Sequence, residues 1–156
     1  DENELRSDTL EREIAESFGT KEMHYMRISA KIEKELAELN DEDDRSAFLN
    51  DLGIIQSAME RLTQLSYEAL GLISFFTVGN DEVRAWTVPR GTTALRAAGA
   101  IHSDIERGFI RAEHMRVEEL LSCGSEVAVK ENGKFSLKGK EYVVEDGDIL
   151  HFRFNI

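Results

Sequence analysis

Residues 72–88 read LISFFTVGNDEVRAWTV. Seven residues rich in β-branched and aromatic side chains come first, which suits a pleated, half-buried surface. Gly79, Asn80 and Asp81 supply turn chemistry. VRAWTV at 83–88 then alternates and returns as the second strand of a hairpin. Pro89 ends it, because proline cannot donate to a ladder. The hairpin decides the fold class of everything after it, since a two-stranded ribbon needs further strands or a helix to be stable.

Further elements follow in order. Thr92 and Thr93 are candidate caps for a helix through Leu95 and Ala98, stopped at Gly99. FIRAEHM at 109–115 reads as a strand, and VEELLSC at 117–123 as a short helix before Gly124. Asn132-Gly133 predicts a hairpin between 126–131 and 134–137. EYVV at 141–144 is a short strand, Asp146-Gly147-Asp148 a turn, and 149–156 a last strand. In that strand Leu150, Phe152, Phe154 and Ile156 face one way. Strands with one apolar face and one useful helix predict an α+β fold, a mixed sheet of about four or five strands wrapped on that helix. That is the ubiquitin-like β-grasp arrangement.

The part before Leu70 has another period. Leu10, Ile14 and Phe18 mark an amphipathic helix over 4–18, and MHYMRI at 23–28 reads as a short strand. Helices are expected from Ser29 to Leu39 and from an Asn40 cap through Leu49. The clearest helix is 54–70, with Ile55, Ala58, Met59, Leu62, Leu65 and Ala69 on one stripe. One strand between helices is one step of a parallel α/β sheet whose neighbours are missing. Residues 1–53 are therefore expected to be the end of a larger α/β domain, 54–71 a connecting helix, and 72–156 the β-grasp domain.

Charge divides the chain too. The 156 residues are 41% apolar and 32% charged, with net charge −12. Residues 1–70 carry 18 acidic and 8 basic side chains, against 13 and 11 in 71–156. The first part repels phosphate backbones, so any polyanion contact must use a local cluster in the second. This balance argues against a general DNA-binding or anionic-membrane role. The single cysteine, Cys123, excludes a disulfide framework and a multi-thiolate zinc site. No run approaches the roughly 18 apolar residues of a membrane span. The expectation is a cytoplasmic protein.

Candidate site residues are few. Arg90, Arg96, Arg107, Arg111 and Arg116 fall within 27 positions, and arginine suits bidentate phosphate contact. Ordinary solvated surface, with pairing to Asp104, Glu106 and Glu113, is the equal alternative. His102 either touches a phosphate or fixes its own loop, and no nucleophile is placed to make it catalytic. Trp86 is the aromatic expected to be exposed. The histidines show no ligand spacing. DEDD at 41–44 lacks the spaced ligands of a calcium loop and reads as a solvated helix start. No Gly-x-x-x-x-Gly-Lys-Ser/Thr occurs, so this chain has no phosphate-cradling loop.

Glu82-Val83-Arg84-Ala85-Trp86-Thr87, Ala98-Gly99, Ile101-His102-Ser103-Asp104-Ile105-Glu106-Arg107-Gly108-Phe109 and the tail GKEYVVEDGDILHFRFNI, 139–156, together resemble the YchF/Obg-like ATPases. The match is collinear over the whole second part. The resemblance implies a TGS domain, a β-grasp module of threonyl-tRNA synthetases, GTPases and stringent-response enzymes. The first part resembles the end of the family's nucleotide-binding domain. Glu2 looks like the Glu of the family's Asn-x-x-Glu base motif, and Ser29-Ala30 like the small-residue loop closing over the base. The resemblance further implies ATP or GTP and magnesium for a full-length parent, none for this chain. Implied partners are the ribosome or ribosomal RNA, through Arg90, Arg96, His102, Arg107, Arg111 and Arg116, and the parent's own nucleotide-binding domain. Three roles stay open: an interaction module, part of the parent's ATP-hydrolysing unit, or a ligand-free structural domain.

Overall fold

The computed structural model describes residues 25–79 and 81–155. The chain divides after Ala69 into two compact units.

The described part of the first unit is helical. Helix α1 spans Ala30–Glu38, starts at a Ser29 cap whose Oγ accepts the Ile32 N–H at 3.4 Å, and buries Ile32 and Leu36. Helix α2, Glu42–Asp51, is capped by Asp41 rather than Asn40. The Asp41 carboxylate takes the Asp43 N–H at 2.8 Å, and Glu42, Asp43 and Asp44 in the first turn favour the macrodipole. The DEDD run is thus a helix start. Helix α3 covers Ala58–Ala69, beginning later than the expected 54. Ser57 and Glu60 form a capping box there: Glu60 N–H donates to Ser57 Oγ at 3.3 Å, and Ser57 N–H to Glu60 Oε2 at 2.9 Å. Glu33 Oε1 accepts the Ala58 N–H at 3.0 Å and ties α1 to the head of α3.

Two expectations for this unit fail or fall outside view. Residues 25–28 form no strand; a β-prone run becomes a strand only where a partner takes its backbone groups, and no ladder includes these residues. The 4–18 helix, with residues 23–24, lies outside the described residues. The expected apolar stripe is also partly open: Ile55, which precedes α3, and Met59 and Leu62 within it are exposed, while Ala58 and Leu65 are half-buried.

The second unit is a five-stranded mixed sheet with helices. Strand β1 (Leu72–Val78) and β2 (Val83–Pro89) form the expected hairpin, in register from Leu72↔Pro89 to Val78↔Val83. Then come α4 (Ala94–Ile101), α5 (Ser103–Arg107), β3 (Phe109–Arg116), α6 (Val117–Cys123), α7 (Glu126–Glu131), β4 (Ser136–Lys138) and β5 (Asp148–Phe154). The sheet order is β2-β1-β5-β3-β4. Only β1 and β5 run parallel, meeting at Phe76↔Ile149; the other pairs are antiparallel. This is the α+β, β-grasp order.

Helix α4 covers one face. Its Ala94, Ala97 and Ala98 are fully buried against Ile73, Phe75, Val88, Phe109, Ala112, Val144 and Leu150. Small side chains let the helix approach the sheet closely. A register shift between Phe109 and Arg111 puts both Phe109 and Ala112 on this face. The other face is covered as well, contrary to the one-faced expectation. Met115, Ile149 and Val129 of α7 are buried there, with Val117 and Leu120 of α6 and Phe135 of the turn after α7 packed around them. Ile149 and Leu150 are adjacent and both buried, so the head of β5 is apolar on both sides.

Four local expectations are corrected. Helix α4 runs through Gly99 to Ile101. Gly99 lies beneath the Glu106 carboxyl, which an added Cβ would push aside. Residues 126–131 are helical, so Asn132-Gly133 is no hairpin turn. Gly133 has φ +69, and Lys134 N–H reaches Val129 O at 3.1 Å, a Schellman ending. A hairpin turn and a helix stop demand the same positive φ, so the dipeptide does not distinguish them. Residues 141–144 form a single bridge, Val143↔Thr93, rather than a strand. Trp86 shares the α4-side face with Val88, is half-buried, and donates Nε1–H to Thr77 Oγ1 at 3.0 Å under the Arg84 guanidinium.

Candidate interaction surface

The six candidates of the second unit fall into three settings. Arg90 lies just past β2 and Arg111 on β3; both are exposed, with no ion pair among the described residues. Arg96, His102 and Arg107 gather at the α4–α5 corner. Arg96 Nη1 is 2.9 Å from Glu106 Oε1, and Arg107 pairs with Asp104. Both guanidinium groups remain about three-quarters exposed, at 76% and 73%.

His102 caps α5, its Nδ1 accepting the Asp104 N–H at 3.1 Å. The same Nδ1 is 3.6 Å from Asp104 Oδ2. One nitrogen cannot accept the cap hydrogen and donate to the carboxylate at once, so the 3.6 Å approach is not a hydrogen bond from Nδ1. The loop-fixing reading of His102 is therefore the one its contacts support.

Arg116 is of another kind. Its Nη1 is 3.0 Å from Asp148 Oδ1 and 3.1 Å from Glu145 Oε2, and its Nε is 3.6 Å from Glu118. It belongs to a buried polar network that sequence reasoning missed. Asp148 is fully buried and accepts from Arg116, from His114 Nε2 at 2.9 Å, from the Tyr142 hydroxyl at 2.8 Å and from the Glu145 N–H at 2.9 Å. His114 Nδ1 meets Ser136 Oγ at 3.0 Å. Burial would raise the Asp148 pKa, but the hydrogen bonds from His114, Glu145 and Tyr142 outweigh it and hold the carboxyl below its usual range. Burial and the hydrogen bond to Asp148 push the Tyr142 phenol up. Ser136, His114 and Asp148 line up as hydroxyl, imidazole and carboxylate. Yet every acceptor position of the carboxylate is filled by the protein, and the group ties β3, β4, β5 and the 142–145 loop together. No sequence spacing announces partners 22 and 34 positions apart.

In the first unit Ser29 gives its hydroxyl to the α1 cap, and Ala30 is the first helical residue. Glu2 lies outside the described residues. Among the described residues no three His, Cys, Asp or Glu side chains group to hold a metal, and no helix is long and apolar enough to cross a membrane. Cys123 is half-buried beside the second-face core.

Residues 72–155 match the family YchF-GTPase_C, described as a protein of unknown function (DUF933). The chain is similar to the ribosome-binding ATPase YchF of Bacillus subtilis (strain 168), 54% identical over 129 residues, covering 83% of this chain and 35% of that protein. It is 46% identical over 145 residues to the protein of the same name from Pasteurella multocida, covering 93% and 39%. It is also 46% identical over 128 residues to Obg-like ATPase 1 of Gallus gallus, covering 82% and 32%. The solved YchF GTPase of Schizosaccharomyces pombe superposes with TM-score 0.70 at 38% identity, over 82% of this chain and 33% of that one. The chain thus spans little more than a third of the length of the curated relatives it matches. With the five-stranded order, the matched residues and the structural likeness in agreement, the chain belongs to the YchF GTPase C-terminal family.

Proposed function

We propose that this chain is the TGS-containing interaction module of a ribosome-associated YchF-type ATPase, and that it contacts ribosomal RNA through exposed arginines of its second unit. The observation that carries the reading is the set of outward guanidinium groups, Arg90, Arg96, Arg107 and Arg111, on a nearly neutral unit of a strongly acidic chain. Arginine forks bind phosphate oxygens in pairs, and such contacts carry affinity without reading sequence. Relatives named ribosome-binding supply the partner class, and a ribosomal partner places the protein in the cytoplasm. The roles of residues 1–53 as the end of a nucleotide-binding domain, and of 54–71 as a connecting helix, belong to the same proposal.

Catalysis belongs to the parent. ATP or GTP with magnesium would need a phosphate loop that this sequence lacks. Ser29 and Ala30, read as the loop closing over a base, stand at the start of a helix in this chain. The purified chain with ATP and magnesium is expected to release no phosphate above a blank.

Ribosome co-sedimentation tests the main reading. The chain should pellet with ribosomes, and charge reversal at Arg96 and Arg107 should reduce the pelleted fraction several-fold. Undiminished pelleting of that double variant would favour the plainer role of these residues, corner ion pairs with Glu106 and Asp104.

A further inference from the structure

Arg111 of β3 and Arg153 of β5 are directly opposite in the antiparallel register. Both are exposed. They lie on the sheet face away from α4, since their neighbours Ala112 and Phe152 pack on the α4 side. Like charges opposed across a ladder destabilise it, and nothing in the fold requires a second arginine there. One carboxylate partly relieves the pair. Glu113 Oε1 accepts from Arg153 Nε at 2.8 Å and Oε2 from Nη2 at 3.1 Å, a two-pronged clasp. That hydrogen bonding outweighs burial and, with the nearby charges of Arg153, Lys130 and His151, holds the Glu113 carboxyl low. Glu126 Oε1 is 3.4 Å from Nε2 of His151, the residue opposite Glu113 on the next rung of this face. Arg111 is left without an ion pair among the described residues.

We propose that Arg111 and Arg153 form a phosphate-binding strip for an RNA backbone on the open end of the β3–β5 ladder. The assignment rests on the ribosomal-RNA reading above and gives it a location; Arg153 is new to it. An anion between two opposed guanidinium groups turns a repulsive cross-strand pair into two charge-assisted contacts. Arg111 and Arg153 face each other across one rung, with Glu113 and His151 on the next rung of the same face, so the pair offers two forks to one backbone phosphate, and the ribosomal-RNA reading supplies the polymer. Glu113 then acts as a built-in competitor: while it clasps Arg153, the strip has half its forked donors free.

The test is binding of the full chain to protein-free ribosomal RNA and to intact ribosomes over a series of potassium chloride concentrations. Arg111→Glu should weaken RNA binding about tenfold and flatten the salt slope by about one to two, as expected for lost phosphate contacts. Glu113→Gln, which frees Arg153, should tighten binding about threefold and steepen the slope. A structural role for Glu113 would not produce that gain. Unchanged melting temperatures would show both variants folded, and Arg111→Lys should keep most of the binding. If neither variant moves affinity or slope while the unsubstituted chain binds ribosomes, the strip is overturned and the wider reading stands. If the chain binds ribosomes but not protein-free RNA, the partner is an acidic ribosomal protein and the strip is again overturned. If the chain binds neither, both readings fall.

Discussion

The two units put their apolar side chains in different places. Among the described residues of the first, Ile32 and Leu36 are the buried hydrophobics, while Ile55, Met59 and Leu62 are exposed. In the second, Phe75, Ala97, Met115, Val129 and Leu150 have no solvent exposure, and the core occupies both faces of one sheet. Helical periodicity tells which side chains share a stripe, but not that anything covers it. A strand carries more: its ladder must be completed by other strands, so a run such as 72–78 commits distant parts of the chain to meet it.

Trp86, the sole tryptophan, makes the comparison measurable, because its fluorescence reports the second unit alone. The largest effect is expected from Phe75→Ala, which should cost about 3–5 kcal/mol in urea denaturation followed at Trp86. Leu36→Ala should leave that transition in place, within about 0.5 kcal/mol. Equal shifts from both would mean that the two units unfold as one.

Asp148→Ala comes next, at about 3 kcal/mol, because it leaves Arg116 and His114 beside an empty acceptor position. Its pH signature has a definite sign. The folded pKa of Asp148 is lowered, so its contribution is complete above the ordinary carboxylate pKa of about 4 and is lost as pH falls from there through the folded value. Denaturation of the parent chain along an acid series should show that decline, and the variant should show a flatter one. An identical acid limb in the two would contradict the assignment.

A smaller effect separates two glycines of the second unit. An added Cβ at Gly108 would lie 2.2 Å from the Asn155 carbonyl oxygen, whereas at Gly139 it would meet no atom within 4 Å. Gly108→Ala should cost about 1–3 kcal/mol by forcing the β3 and β5 ends apart. Gly139→Ala should change the midpoint by less than about 0.5 kcal/mol.

What could be read from the chain follows the same division. The hairpin, β3, α6 and β5 were legible because each has its own period and bounding turn residues. The β-grasp class was legible from the pattern of strands around one helix, but the order of the strands in the sheet was not. Helix α7 was not, since Ser125-Glu126 is a modest start signal and Asn132-Gly133 serves two kinds of ending equally. The second-face core escaped because Met115 and Ile149 alternate against the very side chains that define the first. Of the site, the corner arginines and the capping role of His102 were within reach of local reading. Arg116 and Arg111 looked alike in sequence; one is drawn toward Asp148 and the other left outward only by partners from distant strands.

Strand β5 lies between β1 and β3, so the centre of the sheet is made by residues 148–154, the latest of its strands in chain order. A nascent polypeptide that has released residues 72–138 from the exit tunnel holds two ribbons with no strand to pair them into one sheet. Completion of the sheet must wait for the stretch that encodes β5 to be translated, and a stop ahead of Asp148 would leave two open edges ready to recruit foreign strands.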